Sequence, residues 1–207
     1  MAPILEKTWT TLLRHYGASD TISSSLWQEI QKKYSSRGRH YHNLTHLSHL
    51  LQELSTIQSS LHDWHAILFA IYYHDIIYNA RRSDNEEMSA LLAGQRMQEI
   101  AVPPATIEKA LRIIRATRQH LESPDGDTNY FLDADLSTLG QPWEVYQQYF
   151  KNIRKEYSIY PDLLYIPGRR KVLNHFLDMP RIFKTEYFRG KYEEAAKANL
   201  RQELQQL

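Results

Sequence analysis

Ala66-Ile67-Leu68-Phe69-Ala70-Ile71-Tyr72-Tyr73-His74-Asp75 is the stretch on which the reading of this chain turns. Eight apolar and aromatic residues run without a break and end on an imidazole followed by a carboxylate. Burying a charge is costly unless it is paired or binds a metal. An imidazole and a carboxylate on so apolar a segment therefore need a partner. A divalent cation fits, because histidine nitrogen and aspartate oxygen are both ligands of first-row metals.

Working outward, the apolar residues on either side are spaced mostly as in helices, and the alternation of half-buried strands is scarce. The spacing predicts helices near 3–16, 21–34, 43–59, 64–79, 84–100, 104–119, 128–139, 142–158, 162–178 and 184–205. Asp63 and Asp84 precede two of them as N-caps. Pro103-Pro104, Pro142, Pro161 and Pro180 sit where helices start or break. The loop Ser123-Pro124-Asp125-Gly126-Asp127 is rich in turn formers. The expectation is an all-α fold, 1–207 as a single helical domain. A metal core spans about 39–140, and C-terminal helices at about 142–205 pack on it. At 207 residues one domain is the default, with chain enough for a real core.

Two further segments match the His-Asp pair. Upstream lies Arg39-His40-Tyr41-His42-Asn43-Leu44-Thr45-His46, and downstream Phe131-Leu132-Asp133-Ala134-Asp135-Leu136. Residues four apart share a helix face, so His42 and His46 can point into one cavity if a helix begins near Asn43. His74 and Asp75 are neighbours about 100° apart on a helix, which suits a site where helices cross. His46 and Asp135 would join them from flanking helices. Two imidazoles and two carboxylates leave positions for water or phosphate oxygens on Mn²⁺, Fe²⁺, Zn²⁺, Co²⁺ or Mg²⁺, and the residues do not choose among these ions. The chain holds a second His-Asp pair, His62-Asp63. It has no apolar run before it, and Asp63 serves better as a cap.

Composition narrows the partners. The net charge of +1 gives no global field for nucleic acid or anionic membrane, so no extended nucleic-acid surface is expected. With no cysteine, disulfides and thiolate metal sites are excluded, in keeping with a cytoplasmic protein. Met1 to Trp9 lacks the basic stretch and apolar core of a secretory signal. No apolar run approaches the ~18 residues of a membrane span, so no membrane association is expected.

These residues resemble the HD superfamily of metal-dependent phosphohydrolases, in particular its short, stand-alone bacterial branch. The resemblance rests on Arg39-x-Tyr41-His42-Asn43-Leu44-x-His46, His74-Asp75-x-x-Tyr78, Asp84-Asn85-Glu86-x-x-Ser89-Ala90, Thr117-x-x-His120, Phe131-Leu132-Asp133-Ala134-Asp135-Leu136 and Ile153-Arg154-x-Glu156-Tyr157. It runs from about Arg39 to the C-terminus. It implies an HD-type helical bundle whose central helices carry the metal. The string Tyr41-His42-Asn43-x-x-His46 is also similar to cyclic-nucleotide phosphodiesterases. By that likeness His42 is the proton donor, and His46, His74, Asp75 and Asp135 bind metal.

Around that set the readings stay open. Glu86 orients a water or simply favours a helix's first turn. Asp133 positions the water, holds a histidine or caps a helix. His120 contacts phosphate, binds a second metal or sits as a cation at a helix end. Arg39, Arg154, Lys155, Arg169 and Arg170 are phosphate clamps or surface charges, and the family pattern favours Arg154. Tyr78 and Tyr157 line the pocket or belong to the core.

The function expected is hydrolysis of a phosphoester or phosphoanhydride of a small, nucleotide-like substrate. The alternative is a non-catalytic sensor that binds metal and nucleotide and signals through a protein partner. A homodimer is one arrangement left open.

Overall fold

The computed structural model describes residues 2–207. Ten α-helices make up its framework: α1 (Ala2–His15), α2 (Asp20–Tyr34), α3 (Leu44–Ser55), α4 (Trp64–Tyr73), α5 (Asn85–Glu99), α6 (Pro104–Ala116), α7 (Gly126–Leu136), α8 (Trp143–Glu156), α9 (Asp162–Asp178) and α10 (Glu186–Gln206). Short 3-10 turns lie at Gln58–Ser60 and Ser137–Gly140, and no strand occurs among the described residues. The fold is all-α. No described helix is long and apolar enough to cross a membrane. Packing divides the chain into two compact units, Met1–Leu132 and Asp133–Leu207.

In the first unit α4 is the core element. Every residue from Ala66 to Tyr73 is buried, and α1, α3, α5 and α6 all pack against it. Fully burying an aliphatic or phenyl side chain contributes about 1.5–3 kcal/mol, so this short helix is held by its neighbours rather than by propensity. Trp9 docks α1 onto it. The indole is fully buried, meets Tyr72 edge-on at 4.9 Å and donates from Nε1 to the Ser23 carbonyl at 3.1 Å. Tyr72 in turn donates to the Leu5 carbonyl at 2.8 Å.

Local chemistry sets the helix starts. Ser19 accepts from the Ile22 amide, Asn43 from Thr45 and Asp63 from Ala66. Each thereby satisfies an amide that the first turn leaves without a partner. Asp84 precedes α5 as expected, but its carboxylate pairs with Arg82 at 2.6 Å instead of capping the helix.

In the second unit α10 packs on α8, α9 and the 3-10 turn Ser137–Gly140. A Cβ on Gly140 would come within 2.8 Å of the Tyr192 carbonyl oxygen, so only glycine lets the α10 backbone approach this closely. A buried network fixes the same helix. Arg169 of α9 donates from Nε to Glu203 at 2.7 Å, and the Tyr146 hydroxyl of α8 donates to that carboxylate. The Tyr149 ring lies 5.5 Å from the guanidinium.

Candidate metal centre

The apolar run predicts one helix from 64 to 79; α4 instead stops at Tyr73. His74 still donates its backbone N–H to Ala70, but beyond it the chain turns away. Contacts from distant segments hold that turn. Ser89 of α5 accepts from the Ile77 amide at 3.1 Å and donates to its carbonyl at 3.3 Å. Arg39 donates to the carbonyls of Asp75 at 2.7 Å and Ile76 at 2.9 Å. The Tyr34 hydroxyl accepts from the Asp75 amide at 3.2 Å. Neighbours on a continuous helix would diverge by about 100°; the break lets His74 and Asp75 turn to the same point.

The second histidine arrives from α3. Asn43 is the N-cap, so His46 lies in the first turn and His42 just outside the helix. The expected shared face for the two histidines is therefore replaced by a turn and a helix start. A further contact closes that turn, since Arg39 also donates to the His42 carbonyl at 3.1 Å.

Three ligand atoms converge here, from His46, His74 and Asp75. The His46 and His74 Nε2 atoms are 3.1 Å apart. Asp75 Oδ2 lies 3.1 Å from His74 Nε2 and 3.9 Å from His46 Nε2. The circle through the corners of a 3.1, 3.1, 3.9 Å triangle has a radius of about 2.0 Å, which is the usual bond length from a zinc-sized ion to imidazole or carboxylate.

Protonation agrees with that fit. His74 is only 1% exposed, and its Nδ1 lies 3.2 Å from the carbonyl oxygens of both Ala70 and Ile71. Carbonyls only accept, so Nδ1 carries the proton and the Nε2 lone pair faces the cluster. A backbone carbonyl fixing one ring nitrogen while the other faces a metal is the usual arrangement of a histidine ligand. A proton can serve one pair of the three converging atoms; a divalent ion serves all three at once.

His42 stands at the edge. Its Nε2 is 3.9 Å from Asp75 Oδ2, and its half-buried ring stacks on Tyr78 at 4.2 Å. The first unit thus brings together Arg39, His42, His46, His74, Asp75 and Tyr78. Glu86 is half-buried in the first turn of α5. His120 follows α6 with φ 51°, a left-handed conformation uncommon outside glycine.

The remaining sequence candidates belong to the second unit. Asp133 is fully buried, and its carboxylate receives the Lys184 amide at 2.8 Å and the Thr185 amide and hydroxyl at 2.7 Å each. Burial pushes its carboxyl up against the pull of those hydrogen bonds. Both oxygens are thus engaged at the start of α10. Asp135 is half-buried near the end of α7. Arg154 binds Asp162 at 2.7 Å and the carbonyls of Tyr157 and Tyr160, Arg169 is the buried partner of Glu203, and Arg170 is exposed.

Sequence reasoning missed two residues that shape the site. Tyr34, the last residue of α2, gave no signal beyond that of a core aromatic. Ser89 stood in a quoted motif without a role.

No family model matches the chain, and neither a curated protein nor a solved structure matches it significantly. The all-helical framework and the His-His-Asp cluster are compatible with an HD-type fold.

Proposed function

We propose that this chain is a metal-dependent phosphohydrolase, acting on a phosphoester or phosphoanhydride of a small, nucleotide-like substrate. The observation that carries the reading is the convergence of His46 Nε2, His74 Nε2 and Asp75 Oδ2 on one point, with the His74 ring held in the metal-binding tautomer. His46, His74 and Asp75 would hold a divalent ion, which would supply a Lewis acid able to acidify water and polarise a phosphoryl oxygen. Its identity among Mn²⁺, Fe²⁺, Zn²⁺, Co²⁺ and Mg²⁺ is left to measurement. His42 protonates the leaving oxygen: it is part-exposed beside the cluster, and the Tyr78 ring orients its imidazole. The nucleotide character of the substrate rests on the sequence resemblance.

The test is a screen of nucleotides and phosphodiesters with added Mn²⁺, with Asp75→Ala as the control. Hydrolysis of at least one substrate by the wild type, absent in the variant, supports the reading. Tight metal binding without hydrolysis of any of them sinks catalysis and leaves the sensor.

A further inference from the structure

Arg39 stands beside the histidine motif, where a phosphate contact is the obvious reading, but both terminal nitrogens of its guanidinium are engaged elsewhere and its Nε is buried without a hydrogen-bond partner. Nη1 donates to the carbonyls of His42 at 3.1 Å and Asp75 at 2.7 Å, and Nη2 donates to the carbonyl of Ile76 at 2.9 Å. The plane is packed as well, with its central carbon 4.8 Å from the Tyr34 ring and 5.5 Å from the Tyr78 ring.

We propose that Arg39 is the positioning residue of the metal centre: it sets how tightly the ion is held by fixing the backbone that carries Asp75. The proposal rests on the metal reading above. Its physical basis is the way α4 ends. The last carbonyls of a helix lack intrahelical partners, and a cation placed there satisfies them and complements the helix dipole. Arg39 does not bond the carbonyls of α4 itself; it satisfies two successive carbonyls of the turn just beyond it, those of Asp75 and Ile76. The Asp75 peptide is thereby held on both sides, its N–H by the Tyr34 hydroxyl and its C=O by Arg39. Through the His42 carbonyl the same guanidinium ties that turn to the segment leading into α3, which carries His46. One side chain therefore joins the two stretches of chain that bring the ligands. A planar fork can reach three carbonyls at once; an ammonium cannot reproduce that geometry.

The experiment compares wild type, Arg39→Ala and Arg39→Lys as full-length, metal-free protein. Each is titrated calorimetrically with Mn²⁺, and each Mn²⁺-saturated form is then titrated with inorganic phosphate. Amide hydrogen exchange is followed across residues 74–79 of the metal-free chains. Arg39→Ala is expected to weaken Mn²⁺ binding about 10–100-fold, the usual consequence of losing a group that orients a ligand. Exchange across the turn should rise, and phosphate affinity of the Mn²⁺-saturated form should stay within twofold of wild type. Arg39→Lys should recover only part of the Mn²⁺ affinity. It also decides the matter if the alanine variant does not fold: wild-type Mn²⁺ affinity in folded Arg39→Lys overturns the proposal. So does unchanged Mn²⁺ affinity in Arg39→Ala, with or without lost phosphate binding. A wild-type chain that binds no Mn²⁺ overturns instead the metal reading on which the proposal rests.

Discussion

The two His-Asp pairs of this chain sit at opposite ends of the same helix, and the helix uses them differently. His62-Asp63 precedes α4. There the Asp63 carboxylate accepts from the Ala66 amide, and Asp127 accepts from the backbone amides of His62 and Asp63 at 2.9 and 2.8 Å. The His62 side chain is left 84% exposed. His74-Asp75 follows α4, where the helix presents carbonyls. Those carbonyls take the imidazole N–H of His74, and the Asp75 carboxylate faces the imidazoles. A helix start needs acceptors and absorbs the carboxylate; a helix end needs donors and absorbs one side of the imidazole. Only the second arrangement leaves a lone pair and a carboxylate to converge. The same dipeptide becomes a cap at one end and a candidate ligand pair at the other.

The largest test of this contrast is metal content. His74→Ala and Asp75→Ala should each abolish tightly bound metal in the purified protein, while His62→Ala should retain it at the wild-type level. Elemental analysis showing equal metal in all four proteins would erase the distinction.

Next comes the histidine beside the cluster. His42→Ala should keep the metal yet slow hydrolysis about 10²–10⁴-fold, the usual worth of a positioned acid. The deficit should shrink for nitrophenyl esters, whose leaving groups need no proton. Loss of metal in this variant would make His42 a ligand instead.

At the other end of α4 the expected effects are on stability. Asp127 is fully buried, accepts both backbone amides and pairs with Lys109. Burial alone would raise its carboxyl; Lys109 and the two amides outweigh that and hold it below the ordinary value. A lowered folded value means that the stabilisation is present above the unfolded value of about 3.9 and is lost as pH falls through the folded one. Asp127→Ala should therefore cost about 3 kcal/mol at neutral pH, by stranding a partly buried cation and two amides. It should also flatten the acid limb of a melting-temperature profile, and an acid limb identical to wild type would remove Asp127 from the account.

The smallest effect is the cap itself. Asp63→Ala should lower stability by about 1 kcal/mol in urea melts and leave metal content untouched. A shift beyond about 3 kcal/mol would mean that Asp63 does more than begin a helix.

These ends also mark what could be read from the residues alone. Every helix start lies within two residues of expectation, and Asp63, Pro103, Pro142 and Pro161 announce theirs locally, whereas the caps Ser19 and Asn43 emerge only in the structure. Several helices end earlier than their apolar spacing predicts. Nothing in Ile76-Ile77-Tyr78 says stop; α4 ends because Arg39 and Ser89 reach in from other segments. The positions of His46, His74 and Asp75 were legible through spacing and resemblance, but their convergence depends on that unannounced break. Asp133 shows the opposite case. In the sequence it is one of two acidic residues in Asp133-Ala134-Asp135, and its partners lie 51 and 52 residues downstream. No local pattern announces those distant partners.

The clamp on the start of α4 has a bearing on how the protein is made. A growing chain has exposed all three converging ligands once Asp75 has emerged, and Arg39 and Tyr34 are already present to hold the turn. The helix between the two His-Asp pairs still lacks Asp127, which closes its N-terminus from 64 residues further along the chain. At about 5–20 residues per second of synthesis, the candidate ligand set is therefore complete seconds before the helix supporting it is finished. Ribosome-bound chains ending before α7 would carry the ligands on an α4 not yet secured at its start.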